Sequence, residues 1–547
     1  MAEAIENRQE LQEFLRKSVL DIAVQVGNQP GLGDLQRKVL EDATAFYDKL
    51  VDRHSDQDDV LFEAACGYLR LGRIYRMTIA PEATGPLLTK SIDILSALHE
   101  KSPRQPQYRH ELAAAHRILG NNLAYNFERD EDGLFHMQRS VDLLADLAQE
   151  YPDEFDYVVE ENDCRSMLAS ICVRLGRWAD AQQQARMASE SAFRLVGRLE
   201  GTRLTHDRFG KKLDLVACVN GALSLSFQMD IELACRDDST TRNLCERLTC
   251  LRDRIVADAT TNRESLTILI RTDCQLGDYY LAHLDFDSAL DAYEDAAAAA
   301  DEMIDRYPDF NWGKRSSTGA YLRLGKVFVG FEDYDAAMAA YAKAQATLMM
   351  DATVDQSDDA KQNQMRIDVG MAYCDWRKGD RESAAQRFRQ AIADARSLDS
   401  AKLSQHMRHE MATLLVTCPI PSLRDPSTAA RILASTYPAA HANDWQLQGI
   451  VSLRNGEFDA AIESFQECVS SGSVDACDWL YLTLCYANRG EMDEAARCYS
   501  RALQAIEAYE PISLRNLGHP DDLRDLMREA EAAGVAGVVD VKVSSVR

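Results

Sequence analysis

The chain has 547 residues, of which 46% are hydrophobic and 27% charged, and its formal net charge is −27. This length allows several globular domains or one long repeat array, and the small number of prolines (13) indicates that most of the chain folds. The acidic balance argues against a general binder of nucleic acid or of anionic membranes, because both ligands need clustered Lys and Arg.

The cysteines and the apolar runs indicate the compartment. None of the 14 cysteines forms a Cys-x-x-Cys pair, and most lie inside apolar helix patterns, which predicts buried, reduced thiols. The first residues (MAEAIE) are acidic and lack the apolar core of a signal peptide. Because no apolar run approaches the roughly 20 residues of a membrane helix, we expect a cytoplasmic protein without membrane insertion.

The first part of the chain predicts helix pairs. Residues 1–28 are expected to form an N-terminal helix, and residues 29–199 a series of pairs. RLGRIYR (70–76) and ILGNNLAYN (118–126) each predict a first, or A, helix, and RLGRWADAQQQARMA predicts an A–B turn at Gly176. Residues 200–262 fit the pattern worst and predict one degenerate pair.

The central part, residues 263–400, repeats the pattern more clearly. LGDYYLAHLDFDSALDAYEDA places Gly277, Ala289 and Tyr293 in the same register as Gly325, Ala337 and Tyr341 of LGKVFVGFEDYDAAMAAYAKA. Apolar residues recur at helical spacing throughout, and no stretch alternates as a strand would. The small residues predict close contact between the helices of each pair.

A proline-rich stretch, LLVTCPIPSLRDPSTAARIL, interrupts residues 401–442. We expect an A helix over 402–417, an enlarged turn over 418–424, and a B helix in which Asp425 is the N-cap and Pro426 the first residue. Ala430, Ala434 and Tyr437 are at the positions predicted for the small and ring residues of this B helix.

The clearest repeat lies in residues 443–510. Trp445 and Trp479, Gly456 and Gly490, Ala461 and Ala495, and Phe465 and Tyr499 are each 34 residues apart. This period with W…G…A…F/Y…A is typical of the tetratricopeptide repeat (TPR). Residues 511–534 predict a capping helix, and 535–547 a frayed tail. The prediction is therefore an all-α, TPR-like solenoid of eight to ten helix pairs that forms a right-handed superhelix.

Most of the segment 29–534 resembles a particular TPR family. The proline-rich stretch, QPGLGDLQRKVLEDATAFYDKLV (29–51) and DLRDLMREAEAAG are similar to the TPR regions of planctomycete-type bacterial serine/threonine kinases. The kinase domain of those proteins has no counterpart here, because the chain lacks a Gly-rich loop, His-Arg-Asp and Asp-Phe-Gly. The resemblance implies a kinase partner, on a longer chain or encoded nearby.

Two of three apparent catalytic or metal motifs fail on spacing, and the third has a simpler explanation. GAYLRLGK (319–326) has five residues between its glycines instead of the four of a P-loop. His110 and His116 are six residues apart and lie on different sides of a helix. His406, His409 and Glu410 share a face, for which a solvated surface is favoured over a metal site. We therefore expect no catalytic residue, cofactor or metal.

The polar positions of the A helices are the remaining candidates for a binding site. They include Arg73, Arg76, Arg117, Asn121 and Arg174. Arg117 and Asn121 resemble part of the clamp with which some TPR domains hold a peptide's carboxylate, although Met167 stands where a second Asn would be. Ordinary solvated side chains are the alternative interpretation. A basic patch would favour an acidic peptide.

These observations favour a non-catalytic TPR scaffold that binds a protein or peptide on its concave face. The first alternative is a regulatory or sensory region that works with a bacterial serine/threonine kinase. The second is an enzyme with an unrecognised helical active site.

Overall fold

The structure is a computed structural model. It describes residues 33–77, 81–126, 129–199, 213–235, 238–257, 262–283, 285–350, 358–397, 405–434, 442–470, 476–507 and 523–535. Within these ranges the chain forms 22 α-helices, one short 3₁₀ turn and no strand, which confirms the all-α prediction. The chain divides into two compact units between Ile231 and Glu232. The predicted N-terminal helix lies outside the described residues, as does the predicted tail after Val535.

The first eight helices belong wholly or mostly to unit 1. They are α1 (Gly33–Arg53), α2 (Asp58–Met77), α3 (Pro81–Lys101), α4 (Pro106–Asn126), α5 (Asp130–Glu150), α6 (Phe155–Arg174), α7 (Trp178–Leu199) and α8 (Leu213–Cys235), whose last residues fall in unit 2.

The other helices belong to unit 2. They are α9 (Asp238–Ala257), α10 (Arg263–Ala282), α11 (Phe286–Arg306), α12 (Asn311–Gly330), α13 (Tyr334–Met349), α14 (Asp358–Lys378), α15 (Arg381–Ser397), α16 (Gln405–Thr417), α17 (Pro426–Leu433), α18 (Ala442–Asn455), α19 (Phe458–Ser470), α20 (Ala476–Asn488), α21 (Met492–Glu507) and α22 (Leu523–Ala532).

Consecutive helices pack as pairs, with an even-numbered A helix followed by an odd-numbered B helix. Three such pairs lie in unit 1, from α2–α3 to α6–α7, and six in unit 2, from α10–α11 to α20–α21. Each A helix also contacts the next A helix in most of these pairs, as α2 does α4 and α10 does α12. The nine pairs fall within the predicted eight to ten. The segment predicted to be degenerate, 200–262, contains α8 and α9.

Glycine ends several A helices, as the pattern predicts. Gly176, Gly379, Gly456 and Gly490 have φ between 69° and 86°, a left-handed conformation that costs glycine little. In the α12–α13 turn a non-glycine residue, Glu332, takes this conformation with φ 61°. The B helices then begin at a cap: the Asp333 carboxylate, for example, accepts the Ala336 N–H at 2.9 Å.

The helices of a pair approach each other through a glycine that faces a ring. A Cβ on Gly277 would lie 2.5 Å from the Tyr293 ring, and one on Gly449 would lie 2.8 Å from the Phe465 ring. The hydroxyl of Tyr293 donates to Asp278 at 2.6 Å, which holds the ring against α10. These glycines are therefore packing positions between A and B helices.

The proline-rich stretch is a swollen A–B turn, as predicted, with one correction. α16 ends at Thr417, a 3₁₀ turn covers Pro421–Leu423, and α17 begins at Pro426. The Asp425 carboxylate accepts the Thr428 N–H at 3.1 Å. The buried small residue is Ala429, not Ala430 or the exposed Ala434, because the position four residues after the cap faces the A helix, as Ala337 does after Asp333.

Two further expectations concern cysteines and membranes. The thirteen cysteines whose side chains the structure describes are free thiols, and all of these except Cys250 are buried. None of the helices described is long and apolar enough to cross a bilayer.

Close packing in unit 1 predicts opposite effects of one substitution at two glycines. A Cβ on Gly120 would lie 2.9 Å from the Gly133 carbonyl oxygen, and one on the exposed Gly197 would meet nothing within 4 Å. Gly120→Ala should lower the stability of unit 1 by about 2 kcal/mol, because the obstacle is backbone. Gly197→Ala should raise it by up to about 1 kcal/mol, since alanine favours a helix interior.

Calorimetric unfolding of the two variants and the wild type measures both effects. A Gly120→Ala variant that unfolds at or above the wild-type temperature contradicts the close approach of α4 and α5.

Candidate functional site

Polar side chains from successive A helices meet on one side of unit 1. We call this region the amino-terminal polar face and define it by Arg73 of α2, Arg117 of α4, Glu160 and Asp163 of α6, and Asn220 of α8. The apolar neighbours of these residues, such as Leu119 and Cys164, are buried in the core. Burial of one side of each A helix leaves the polar positions on another side.

Arg117 is the central cation of this face. The side chain is half-buried between Ile118 and His116, which are themselves buried. Its Nε is inaccessible to solvent and has no hydrogen-bond partner among the residues described. A buried donor without a partner costs about 1–3 kcal/mol, so a rotation of the Arg117 side chain that brings this nitrogen to a ligand acceptor would be stabilised.

Arg73 lies within electrostatic reach of Arg117. Desolvation by the surrounding protein lowers the pKa of Arg73, and the positive charge of Arg117 lowers it further. The carboxylates of Glu111 and Glu160 act in the opposite direction. The guanidinium groups of the exposed Arg73 on α2 and the half-buried Arg117 on α4 therefore repel each other across the face.

Two carboxylates of α6 complete the face. Burial opposes ionisation of Glu160, but its contact with His110, at 3.2 Å, lowers its pKa overall. Burial raises the pKa of Asp163 to about 6, although Arg117 and a hydrogen bond donated by Asn220 at 3.0 Å favour its charged form. The face therefore carries both signs of charge, and the basic patch expected from the sequence is corrected to a mixed one.

The structure separates the other predicted site residues. Asn121 directs its amide to the sulfur of Met167 at 3.6 Å. Arg174 donates to the Ala124 carbonyl at 2.6 Å and lies 2.8 Å from Asp130 Oδ1, so it ties the end of α6 to the start of α5. Arg76 lies in α2, but its side chain is outside the described part of the chain. Of the five predicted residues, Arg73 and Arg117 lie within electrostatic reach of each other.

Sequence reasoning missed the acidic and amide members of the face. Glu160 and Asp163 lie seven and four residues before Met167 on the same helix. A search for acidic residues on the A helices would have found them. Asn220 lies in the segment that matched the repeat worst, where no register could be assigned.

The structure also shows where the rejected nucleotide-binding and metal-binding motifs lie. GAYLRLGK lies inside the continuous helix α12 and forms no phosphate loop. His110 faces Glu160, whereas His116 Nδ1 lies 2.8 Å from His136 Nδ1 of α5, so the two histidines of HELAAAH point to different helices. Glu410 is bound by Arg366 and by Gln362, the latter at 2.7 Å. No group of three or more potential metal ligands occurs within the described ranges.

Comparison with known proteins identifies the repeat. Residues 447–510, from α18 to the end of α21, match the tetratricopeptide repeat family. The described helices form a TPR-like helix-pair solenoid, and residues 447–510 are the part that carries tetratricopeptide repeats. None of the curated proteins is a significant match.

Solved structures with a similar arrangement are distant in sequence. A tetratricopeptide repeat protein from Parabacteroides merdae is 14% identical over 61% of this chain and 99% of its own, with a TM-score of 0.32. A Rap protein complexed with competence and sporulation factor is 11% identical over 86% and 98%, with a TM-score of 0.38. Yeast Tom70 is 11% identical over 87% and 97%, with a TM-score of 0.29. These values carry no argument about function.

The buried carboxyl group of Asp163 predicts a pH-dependent effect. Because its pKa is raised to about 6, its contribution to stability is largest below the ordinary pKa near 3.9 and is lost as the pH rises through 6. Asp163→Asn cannot ionise and keeps an oxygen that accepts from Asn220. We expect a higher unfolding temperature than wild type at pH 7.5, and a smaller difference at pH 5.

Asp153→Asn is the matched control, since this aspartate is 99% exposed and should give no difference at either pH. His116, whose pKa burial lowers to about 4, titrates in every variant and cancels in the comparison. An Asp163→Asn effect that is equal at both pH values contradicts a buried carboxyl group.

Proposed function

We propose that the protein is a non-catalytic scaffold and that the amino-terminal polar face binds a peptide segment of a partner protein. The observation that carries this proposal is the Nε of Arg117, which is buried and has no hydrogen-bond partner among the described residues. The repeat match supports a protein-interaction role in general terms.

The chemistry of the face suggests the kind of peptide. A guanidinium group binds a carboxylate through two parallel hydrogen bonds, and Arg73 places a second cation near Arg117. A carboxylate, from an acidic side chain or a C-terminus, would relieve the repulsion between these two arginines. Glu160 and Asp163, which lie within electrostatic reach of Arg117, would accept peptide N–H groups. The expected ligand therefore pairs a carboxylate with hydrogen-bond donors rather than being uniformly acidic.

The other functions suggested by the sequence have no structural observation in their favour. Association with a bacterial serine/threonine kinase stays a prediction, because nothing in the described helices bears on it. The non-enzyme prediction likewise has only the general character of the fold behind it.

A peptide selection tests the proposal. Immobilised full-length protein is screened against a phage-displayed library of random peptides with free C-termini, and the selected peptides are synthesised and titrated. We expect carboxylate-bearing peptides to be enriched. Arg117→Gln should weaken their binding by about tenfold or more, because it removes a charge-assisted contact worth about 1.5–3 kcal/mol.

Arg104→Gln is the control, because this exposed arginine lies in the α3–α4 turn, away from the face. Its affinities should equal those of the wild type, and both variants should unfold at the wild-type temperature or above. Peptides that bind the Arg117→Gln and Arg73→Gln variants as tightly as the wild type would remove this face from consideration.

A further inference from the structure

The last helix, α22, crosses the A–B turns of unit 2 instead of extending the series of pairs. It packs mainly against α20, the A helix of the last pair. Its Arg524 lies 3.0 Å from Glu332 in the α12–α13 turn, and its Glu531 accepts from the Tyr499 hydroxyl of α21 at 3.4 Å. The helix predicted to be a cap therefore spans several pairs along one edge of the unit.

Three arginines from different turns converge on two carboxylates of α22. Arg377, at the end of α14, lies 3.5 Å from Asp525. Glu529 accepts from Arg424 of the proline-rich turn at 3.1 Å and from Arg454 of α18 at 2.6 Å. Only 12–14% of each arginine side chain is exposed. Burial disfavours the Glu529 carboxylate, yet Arg454 and Arg424 keep its pKa below the ordinary value.

The remaining face of α22 is apolar. Leu523, Leu526, Met527 and Ala530 are all buried against the unit. Asp525 and Glu529 are four residues apart and lie on one side of the helix. The contact is therefore that of an acidic amphipathic helix laid against an apolar surface with a basic border.

The Glu332 backbone supports the same interpretation. Four A–B turns have a glycine in the left-handed conformation, whereas this turn has Glu332 at φ 61°. A non-glycine residue in this region is destabilising, and such strain concentrates at functional contacts. Here the strained residue supplies the carboxylate that meets Arg524.

A cleft beside α22 shows that the surface is larger than the helix on it. The cleft has a volume of about 610 Å³ and is lined by apolar and polar residues of the repeats, including Leu453, Phe458, Leu484, Asn455 and Asn488, and by Ala532 and Ala533 at the end of α22. Because the two alanines are small and exposed, a helix with larger apolar residues at these positions would fill more of this space.

We infer that this surface is a docking site for an acidic amphipathic helix of a partner protein, with α22 as its occupant within the chain. We call the surface the helix seat and define it by Arg377, Arg424, Leu453, Arg454 and Leu484. The partner helix carries two carboxylates four residues apart, a Leu/Met face, and apolar side chains larger than alanine one turn further on. The seat lies in unit 2, and the amino-terminal polar face lies in unit 1.

Because α22 occupies the helix seat, a partner helix can bind there only when α22 leaves it. A tethered helix competes at an effective concentration of about millimolar. At ten residues, α22 is too short to be a stable helix alone, so its structure depends on the seat. A partner whose helix is longer and already formed loses less conformational entropy on binding, and it can therefore displace α22.

Binding of a synthetic peptide tests the inference on the full-length protein. The probe is a fluorescein-labelled peptide of residues 521–535, titrated by anisotropy. Leu526→Asp, which places a charge at a buried position of α22, should release the helix. We expect the released protein to bind the peptide at least about tenfold more tightly than the wild type, whose own α22 competes.

Matched changes test the specificity. Arg389→Gln alters an exposed residue of α15 and should bind like the wild type. A peptide with Glu529→Lys should lose at least about tenfold in affinity for the released protein, and adding Arg454→Glu to that protein should restore binding to this peptide. A peptide with Ala532→Leu should bind more tightly than the natural sequence.

A second release variant, Glu529→Lys in the full chain, replaces Leu526→Asp if the latter lowers the helix content of the repeats. The inference is overturned if neither released protein shows saturable binding, or if the Glu529→Lys peptide binds as well as the natural one. Either result would make α22 a structural cap only.

Discussion

The architecture depends on how closely the two helices of each pair approach. Glycine on the A helix and a ring on the B helix meet at distances that leave no room for a methyl group, as at Gly277 with Tyr293 and at Gly449 with Phe465. This contact fixes which side of the A helix is buried. The polar residues of neighbouring A helices are consequently left side by side, and the A–B turns line up along an edge. Both the amino-terminal polar face and the helix seat follow from this one constraint.

The arginines of the two surfaces differ in whether a carboxylate binds them. On the amino-terminal polar face, the buried Nε of Arg117 lacks a hydrogen-bond partner within the described residues, and nearby Arg73 adds to the positive charge. On the helix seat, Arg424 and Arg454 are bound to Glu529 of the chain's own α22. Since a buried cation is costly unless it is paired, the seat shows the kind of contact that we propose a partner peptide makes on the polar face.

The sequence predicted what depends on local patterns. The 34-residue spacing identified the C-terminal repeats, and Asp425-Pro426 marked the start of a helix correctly because capping is decided within one turn. The sequence could not predict features that depend on contacts between distant segments of the chain. Arg174 could not be recognised as a structural tie to Ala124 and Asp130, nor could Asp163 and Asn220 be placed beside Arg117. The position of α22 was equally hidden, because its partners lie between Glu332 and Tyr499 in the chain, far from one another in sequence.

Hydrogen–deuterium exchange of the full-length protein, with and without a selected carboxylate-bearing peptide, tests the central claim most directly. It reports which backbone segments a ligand protects without altering any side chain. We predict slower exchange in the A helices α2, α4 and α6 and unchanged exchange in their partners α3, α5 and α7. Protection confined to the B helices, or to unit 2 alone, would contradict the claim that the A helices of unit 1 form the peptide-binding face.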